Sequence, residues 1–380
     1  MNALVLPPLS LYIHIPWCVR KCPYCDFNSH AVREEIPEDL YINTLLADLD
    51  QELTLLPSRP LQSIFIGGGT PSLFSAKAIG RLLEQVEKRI NFDPAIEITM
   101  EANPGTFEQD KFRDYRAAGI NRLSLGIQSF NDQQLQALGR IHNGADAITA
   151  AGLARQLFDN INLDLMHGLP GQSTQQALDD LQQAQALSPD HLSWYQLTIE
   201  PNTEFHARPP NLPVDETLWA IQEAGQQYLA DNHYQQYEIS AYAQPRRQAR
   251  HNINYWQFGD YIGIGAGAHG KLTCSDGNIE RRWKQKQPKA YMQAETRLGG
   301  CEPLEARGLP FEFMLNALRL TEGVHSSYFE ARTGLGLEAI APVLIKARKM
   351  GLMVEDQQRL APTQQGRLFL NNLLELFLED

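Results

Sequence analysis

Cysteine is scarce in this chain of 380 residues. There are five, an odd number, and nothing after Met1 joins a basic start to a long apolar core as a secretory signal would. A disulfide framework is therefore not expected, and the thiols suit a reducing, cytoplasmic setting. Long hydrophobic runs are missing as well. No stretch approaches the about 20 apolar residues that cross a bilayer as a helix, which leaves peripheral contact as the one form of membrane association still open. Positive charge is in deficit, with 33 Lys and Arg against 45 Asp and Glu and a formal net charge of −12. That balance excludes a nonspecific nucleic-acid binder, which presents a basic footprint to phosphates. An anionic ligand in a local pocket stays compatible with it. What the chain does have is length, enough to bury a large core and to hold one big domain and a smaller one.

Three of the five cysteines fall in one octapeptide, Cys18-Val19-Arg20-Lys21-Cys22-Pro23-Tyr24-Cys25, at the end of a short apolar strand. Thiolates are the usual ligands of iron–sulfur clusters. Three from one tight loop would bind three irons of a 4Fe-4S cluster and leave the fourth open to a substrate or cofactor. Pro23 lacks an amide hydrogen, so the segment is a loop rather than a helix. Structural zinc is the competing reading, with a fourth ligand from His14, Asp26 or His30. Cys274 and Cys301 stand alone and read as small buried hydrophobes.

Along the chain, short apolar runs alternate with longer amphipathic ones. Strands are expected at 10–16, 63–66, 97–101, 122–128, 160–166 and 191–197, with helices at 40–56, 76–90, 107–118 and 174–187. This alternation predicts an α/β fold with a parallel sheet, and six such units make an incomplete (β/α)6 barrel. Ligands of such sheets collect at the carboxyl ends of the strands, and the chemistry-bearing residues fall there. Gly67-Gly68-Gly69-Thr70-Pro71 directly follows the second strand, where glycines let the backbone approach a ligand; the plain alternative is a tight turn. Glu101 closes the third strand and Asp164 lies in an apolar fifth strand. Carboxylates so placed need partners, which an internal salt bridge to Arg122 or Arg140 would supply. Gly168-Leu169-Pro170-Gly171-Gln172 reads as a turn first.

The run Tyr12-Ile13-His14-Ile15-Pro16-Trp17-Cys18, leading into Cys22 and Cys25, resembles the opening strand and cluster loop of radical S-adenosylmethionine (SAM) proteins. It is most similar to the branch that holds oxygen-independent coproporphyrinogen III oxidases and HemW haem chaperones. The resemblance covers most of the chain and implies the barrel, the cluster, bound SAM and a small, mainly helical C-terminal domain. It implies that Cys18, Cys22 and Cys25 ligate the cluster and that Gly68, Gly69 and Thr70 hold the SAM amino group. It assigns Glu101 and Asp164 to SAM hydroxyls or ammonium, Tyr12, Gln128 and Arg140 to the same cofactor, and Tyr24 to shielding the cluster. Arg140 would pair with the SAM carboxylate, and Thr198 would meet the adenine end. The chemistry implied is one-electron cleavage of the SAM sulfonium, supplied by an electron donor of the flavodoxin or ferredoxin kind.

Two departures separate the members of that branch. The oxidases add a further cysteine two residues after the third, and this chain has Phe27 there. Moreover, His251-Asn252-Ile253-Asn254-Tyr255-Trp256 resembles the segment that marks the haem chaperones. Imidazole is a good axial ligand for haem iron and aromatic faces pack on a macrocycle, so His251 is the candidate haem ligand and His269, in a glycine-rich stretch, its rival. The alternatives are a hydrogen-bonded structural histidine at 251 and close backbone packing at 269. Arg246, Arg247 and Arg250 could pair with haem propionates, against the default of a solvated loop. Covalent attachment of the c-type kind is not expected, for no Cys-x-x-Cys-His segment is present.

The expectation is thus a haem chaperone that serves a haem-accepting protein, with a tetrapyrrole-processing radical SAM enzyme as the alternative. The expected divisions are 1–240 for the barrel, 241–298 for a flanking segment with the haem motif, and 299–380 for a winged-helix-like C-terminal domain. Residues 299–303 read as the linker, and 284–286, near Arg281 and Arg282, as a solvated basic run suited to an acidic electron donor.

Overall fold

Near-continuous apolar runs become strands buried on both faces, because helices cover the outer face of a curled parallel sheet while its own side chains fill the inner one. Six of them, Leu9–Ile15, Leu61–Gly68, Phe92–Ala102, Arg122–Gln128, Ile161–His167 and His191–Gln196, pair in parallel and in chain order. The computed structural model describes residues 4–105 and 111–378. Helices Glu38–Leu53, Ala76–Glu87, Gly144–Leu157 and Thr174–Ala186 connect these strands. The last three begin at Ser75, Asn143 and Ser173, whose side chains accept backbone N–H bonds in the first turn. The helix expected at 107–118 is seen as Phe112–Ala117; positions 107–110 lie outside the described residues.

The sheet runs on past both ends of the six strands. Asp260–Ile264 adds in parallel to the first strand, followed by antiparallel His269–Thr273, Ile279–Lys284 and Leu298–Pro303. Antiparallel Ala241–Ala243 and Gln235–Glu238 extend it beyond the sixth. The result is one twelve-stranded sheet whose parallel centre is the incomplete barrel. Residues 299–303 are therefore part of an edge strand and not a linker. Glycine there makes room rather than slack, for a Cβ on Gly300 would lie 2.1 Å from the Trp283 ring.

The basic run is not solvated either. Lys284 is buried with its ammonium 2.6 Å from both Asp48 and Glu52. Arg282 pairs with Glu52 and Glu280, and Arg281 with Glu312; Lys286 alone of these is exposed. Burying an ion is costly unless it is paired and hydrogen-bonded, so Lys284 and Arg282 staple the added strands to the first helix, and Arg281 ties them to helix Leu309–Ala317. Cys301, expected to be buried, is exposed with its thiol 3.0 Å from Glu280.

Toward the C-terminus, helices Leu309–Ala317, Ser327–Thr333, Ala341–Lys349, Gln364–Leu368 and Leu370–Glu375 surround a second core. Phe369, whose backbone is non-helical, separates the last two of these helices. Met353 bridges Pro362, and Arg359–Leu360 pairs with Val324–His325. Phe313 stacks edge-on against Phe329 at 5.3 Å and packs on Phe258, so the second core reaches back across residue 299. Among the described residues no helix is long and apolar enough to cross a membrane. Phe313 is fully buried; Phe313→Ala is expected to lower stability by about 3–5 kcal/mol, measured by urea unfolding followed by circular dichroism.

Candidate functional site

The first strand ends at Ile15 and the chain passes into the three-cysteine loop. The loop is tied at its base where Trp17–Cys18 pairs in parallel with His30–Ala31, with His30 N–H donating to Pro16 at 2.7 Å and Val32 N–H to Cys18 at 2.9 Å. Gly69 N–H and Thr70 N–H reach across from the second strand to the carbonyls of Ile15 and Trp17, each at 2.7 Å. This approach requires glycine. A Cβ on Gly69 would sit 2.4 Å from the Trp17 oxygen, and Gly68 holds φ +116° with its missing Cβ 2.6 Å from the His14 ring.

These loops enclose a cavity of about 340 Å³ lined by Cys18, Cys22, Cys25, Tyr24, Gly68, Gly69, Thr70, Glu101, Gln128, Arg140 and Asp164. Among the described residues no three metal-binding side chains close around a single ion; the thiols face a larger space. Of the zinc partners, His14 is committed to Tyr12 Oη at 2.7 Å and the Asn28 carbonyl at 2.9 Å. Arg140 donates to Cys22 Sγ at 3.5 Å, Asn103 Oδ1 at 2.7 Å and the Gly126 carbonyl at 2.9 Å. Its fork is thus spread over three partners, not held free for one carboxylate, while its Nε is buried without a partner. Gln128 adopts φ +65° at a register shift between the fourth and fifth strands, a bulge that re-aims its side chain; its Oε1 is also unpartnered.

Neither carboxylate forms the salt bridge to Arg122 or Arg140 among the described residues. Glu101 accepts one N–H, from Gly68 at 3.0 Å. Burial, reinforced by the nearby Asp164 charge, pushes its pKa up to about 8. Asp164 accepts from Ser124 at 3.0 Å and Asn162 at 2.8 Å; burial still raises its pKa against these bonds. A floor of polar contacts lies beneath. Asn162 meets His191 at 2.6 Å, His191 meets Tyr237 Oη at 2.9 Å, and Asn252 donates to the same hydroxyl at 3.1 Å. The 340 Å³ cavity therefore offers thiols at one end and two cation-seeking carboxylates at the other.

The remaining candidates are placed differently. Thr198 is exposed, bonded to Glu200, and does not line the cavity. Tyr12 lines a second cavity of about 820 Å³ beside the first, which shares Lys21, Phe27 and Ser29 with it. Tyr255 and Trp256 line that cavity, as does His269, but His251 does not. His251 is buried with Nδ1 2.8 Å from Glu97 Oε1 and its ring stacked on Phe65 at 4.4 Å. Burial alone would raise Glu97, but the His251 hydrogen bond and the Arg122 charge outweigh it and bring it to about 2. Arg247 pairs with Asp190 and Arg250 donates to the Ala95 carbonyl. Arg247 and Arg250 thus brace the fold, Arg246 is exposed, and none of the three lines either cavity. The glycines near His269 do serve close packing, since a Cβ on Gly265 would meet the His14 carbonyl at 2.3 Å.

Sequence reasoning missed Asn103, which ties Arg140 to Thr70, and Tyr195 and Phe65, which line the cavities. Their signal was position: Asn103 and Tyr195 lie at carboxyl ends of strands, and Phe65 shares Gly67's face of the second.

Against known proteins, the profile of the radical SAM superfamily matches residues 12–184 and that of the HemN C-terminal domain residues 297–369. The chain is 55% identical over 380 residues to a heme chaperone HemW of Haemophilus influenzae, covering 99% of each. It is 54% identical over 376 residues to that of Escherichia coli, again covering 99% of each. It is 34% identical to mouse mitochondrial radical S-adenosyl methionine domain-containing protein 1, covering 96% of this chain and 86% of the relative. Among solved structures, the coproporphyrinogen III oxidase HemN of Escherichia coli superposes with a TM-score of 0.82 at 25% identity, covering 98% of this chain and 90% of the oxidase.

Two outcomes follow from the geometry. Gly69→Ala is expected to push the Trp17 loop aside and lose iron on reconstitution, read by iron and sulfide content. Because Glu101 titrates near 8 in the fold against 4.5 ordinarily, the folded state binds more protons than the unfolded between those values. Stability of the cofactor-free protein should then fall as pH rises from about 5 to 8, and Glu101→Gln should flatten that decline in thermal melts.

Proposed function

Because the chain belongs to the HemW family of radical SAM proteins, we propose that it is a haem chaperone that binds haem and passes it to an acceptor protein, with a 4Fe-4S cluster and SAM in its 340 Å³ cavity. The observation that carries this reading is the pair of adjoining cavities, one lined by three thiols and two carboxylates, the other by aromatic and basic side chains. The residues of the first suit the cluster and SAM. Cys18, Cys22 and Cys25 supply the thiolates, and the unpartnered Arg140 Nε and Gln128 Oε1 are polar atoms that a polar ligand would satisfy. When bound, the two cofactors supply one-electron chemistry at a sulfonium.

The chain's own side chains bind and orient. Glu101 and Asp164 face the cavity and attract cationic ends of SAM, which would return Glu101 to its ionised form. The backbone from Gly68 to Thr70 sets how closely a ligand approaches the cysteine loop. Arg140 places positive charge on Cys22, and Tyr24, packed on Phe205, covers the loop from solvent. Arg20 and Lys21 are exposed on the same loop, where an electron donor of the flavodoxin or ferredoxin kind would approach. Phe27, where the oxidases carry their additional cysteine, favours the chaperone over the enzyme.

The test is a transfer assay. Anaerobically reconstituted protein, loaded with haem, is expected to restore the Soret spectrum of a haem-depleted acceptor, whereas Cys22→Ala should lose the stoichiometric cluster. Steady 5′-deoxyadenosine formation driven by a porphyrinogen, with oxidised product appearing, would overturn the reading in favour of an enzyme.

A further inference from the structure

We propose that the 820 Å³ cavity is the haem seat and that His269, rather than His251, is the imidazole presented to the iron. The proposal rests on the haem-chaperone reading and concerns where the cargo sits. The volume lies within the roughly 300–1,000 Å³ of cavities that enclose a ligand of a few tens of atoms. Its walls are flat and aromatic. Tyr12 and Phe65 stack at 6.0 Å on one side, and Tyr255 meets Tyr261 edge-on at 4.7 Å on another, surfaces that accept a planar macrocycle.

Charge points to the same class of ligand. In a chain of net charge −12, this cavity is lined by four cations, Lys21, Lys271, Arg281 and Lys286, against the single carboxylate Asp26. Lys271 is spent on Asp260 at 2.9 Å and Arg281 on Glu312. Lys286 is exposed and in no ion pair among the described residues, so it is free for a propionate. A flat anionic ligand with a Lewis-acidic centre would use all of these features together.

The two histidines differ in availability. His251 is held by Glu97, covered by Phe65 and lines neither cavity; its place is behind the wall, keeping Phe65 in position. His269 stands at the cavity, exposed, with its ring stacked near Trp283 at 6.3 Å and neither nitrogen hydrogen-bonded among the described residues. Partial burial, with Lys286 and Arg281 close by, lowers its pKa, which favours the neutral imidazole that ligates metal.

The experiment is an anaerobic absorbance titration with ferric haem and with its dimethyl ester. It compares wild type, His269→Ala, His251→Gln and Lys286→Ala, each with its folding checked by circular dichroism. Expected are saturable one-site binding by wild type, loss of the imidazole-ligated spectrum in His269→Ala with recovery on adding free imidazole, and an unchanged spectrum in His251→Gln. Lys286→Ala is expected to weaken haem about tenfold and to leave the ester unaffected. If His269→Ala binds haem with the wild-type spectrum, or His251→Gln alone loses it, the seat proposed here is wrong while the chaperone reading stands. If wild type shows no saturable binding, the chaperone reading itself fails and the seat with it.

Discussion

The contact between two backbones at Gly69 and Trp17 is the constraint on which the rest of the site depends. The first two strands pair in parallel along their length, and their hydrogen bonding continues past the strand ends into the loops, where the Gly69 and Thr70 amides seize the carbonyls of Ile15 and Trp17. The thiol loop is therefore an extension of the sheet and inherits its rigidity. A loop fixed only by its own residues would have to bear the ordering of three cysteines alone. Here the hydrophobic core, in which Ile13, Ile15 and Ile66 are fully buried, holds it in place. That only glycine tolerates such closeness explains why the run that ends the second strand has no side chains.

Glu97 and Glu101 show how one strand makes two kinds of carboxylate. They lie four residues apart on the face turned to the barrel interior, Glu97 buried and Glu101 partly so. Glu97 accepts from the His251 ring and from the Arg250 amide, so its charge is compensated within the chain and its pKa is low. Glu101 accepts one backbone amide and has Asp164 for a neighbour, so its charge lacks an internal partner. The first carboxylate fixes the start of helix Arg250–Trp256, which packs against the first two strands. The second keeps an unmet demand for positive charge where a ligand enters.

Much of this was legible in the chain. Strands of a doubly covered sheet announce themselves as apolar runs, and five of the six were placed within two residues or so at most ends. The third began earlier, because Asp93, Pro94 and the exposed Ala95 interrupt the apolar pattern between Phe92 and Ile96, which the strand nonetheless includes. The three thiols and the glycine run were readable because both are constrained locally, by spacing and by the absence of a Cβ. What escaped depended on partners far away in sequence. Lys284 looked like a solvated cation because Asp48 and Glu52 lie more than 230 residues earlier. Gly299 and Gly300 looked like slack because nothing local reveals Trp283 pressing on them. His251 drew attention through its neighbours, whereas its own contacts are with Glu97 and Phe65.

Lys21, Phe27 and Ser29 are common to both cavities, and this shared wall carries a thermodynamic obligation. Any ligand in one cavity that shifts these side chains alters the free energy of filling the other, and the effect must be equal in both directions. A partition made of an exposed phenylalanine is soft and easily turned, unlike the sheet-borne walls around it. Where filling one chamber turns that side chain, the doorway of its neighbour changes with it, and the contents of the two chambers are then linked by a single free energy.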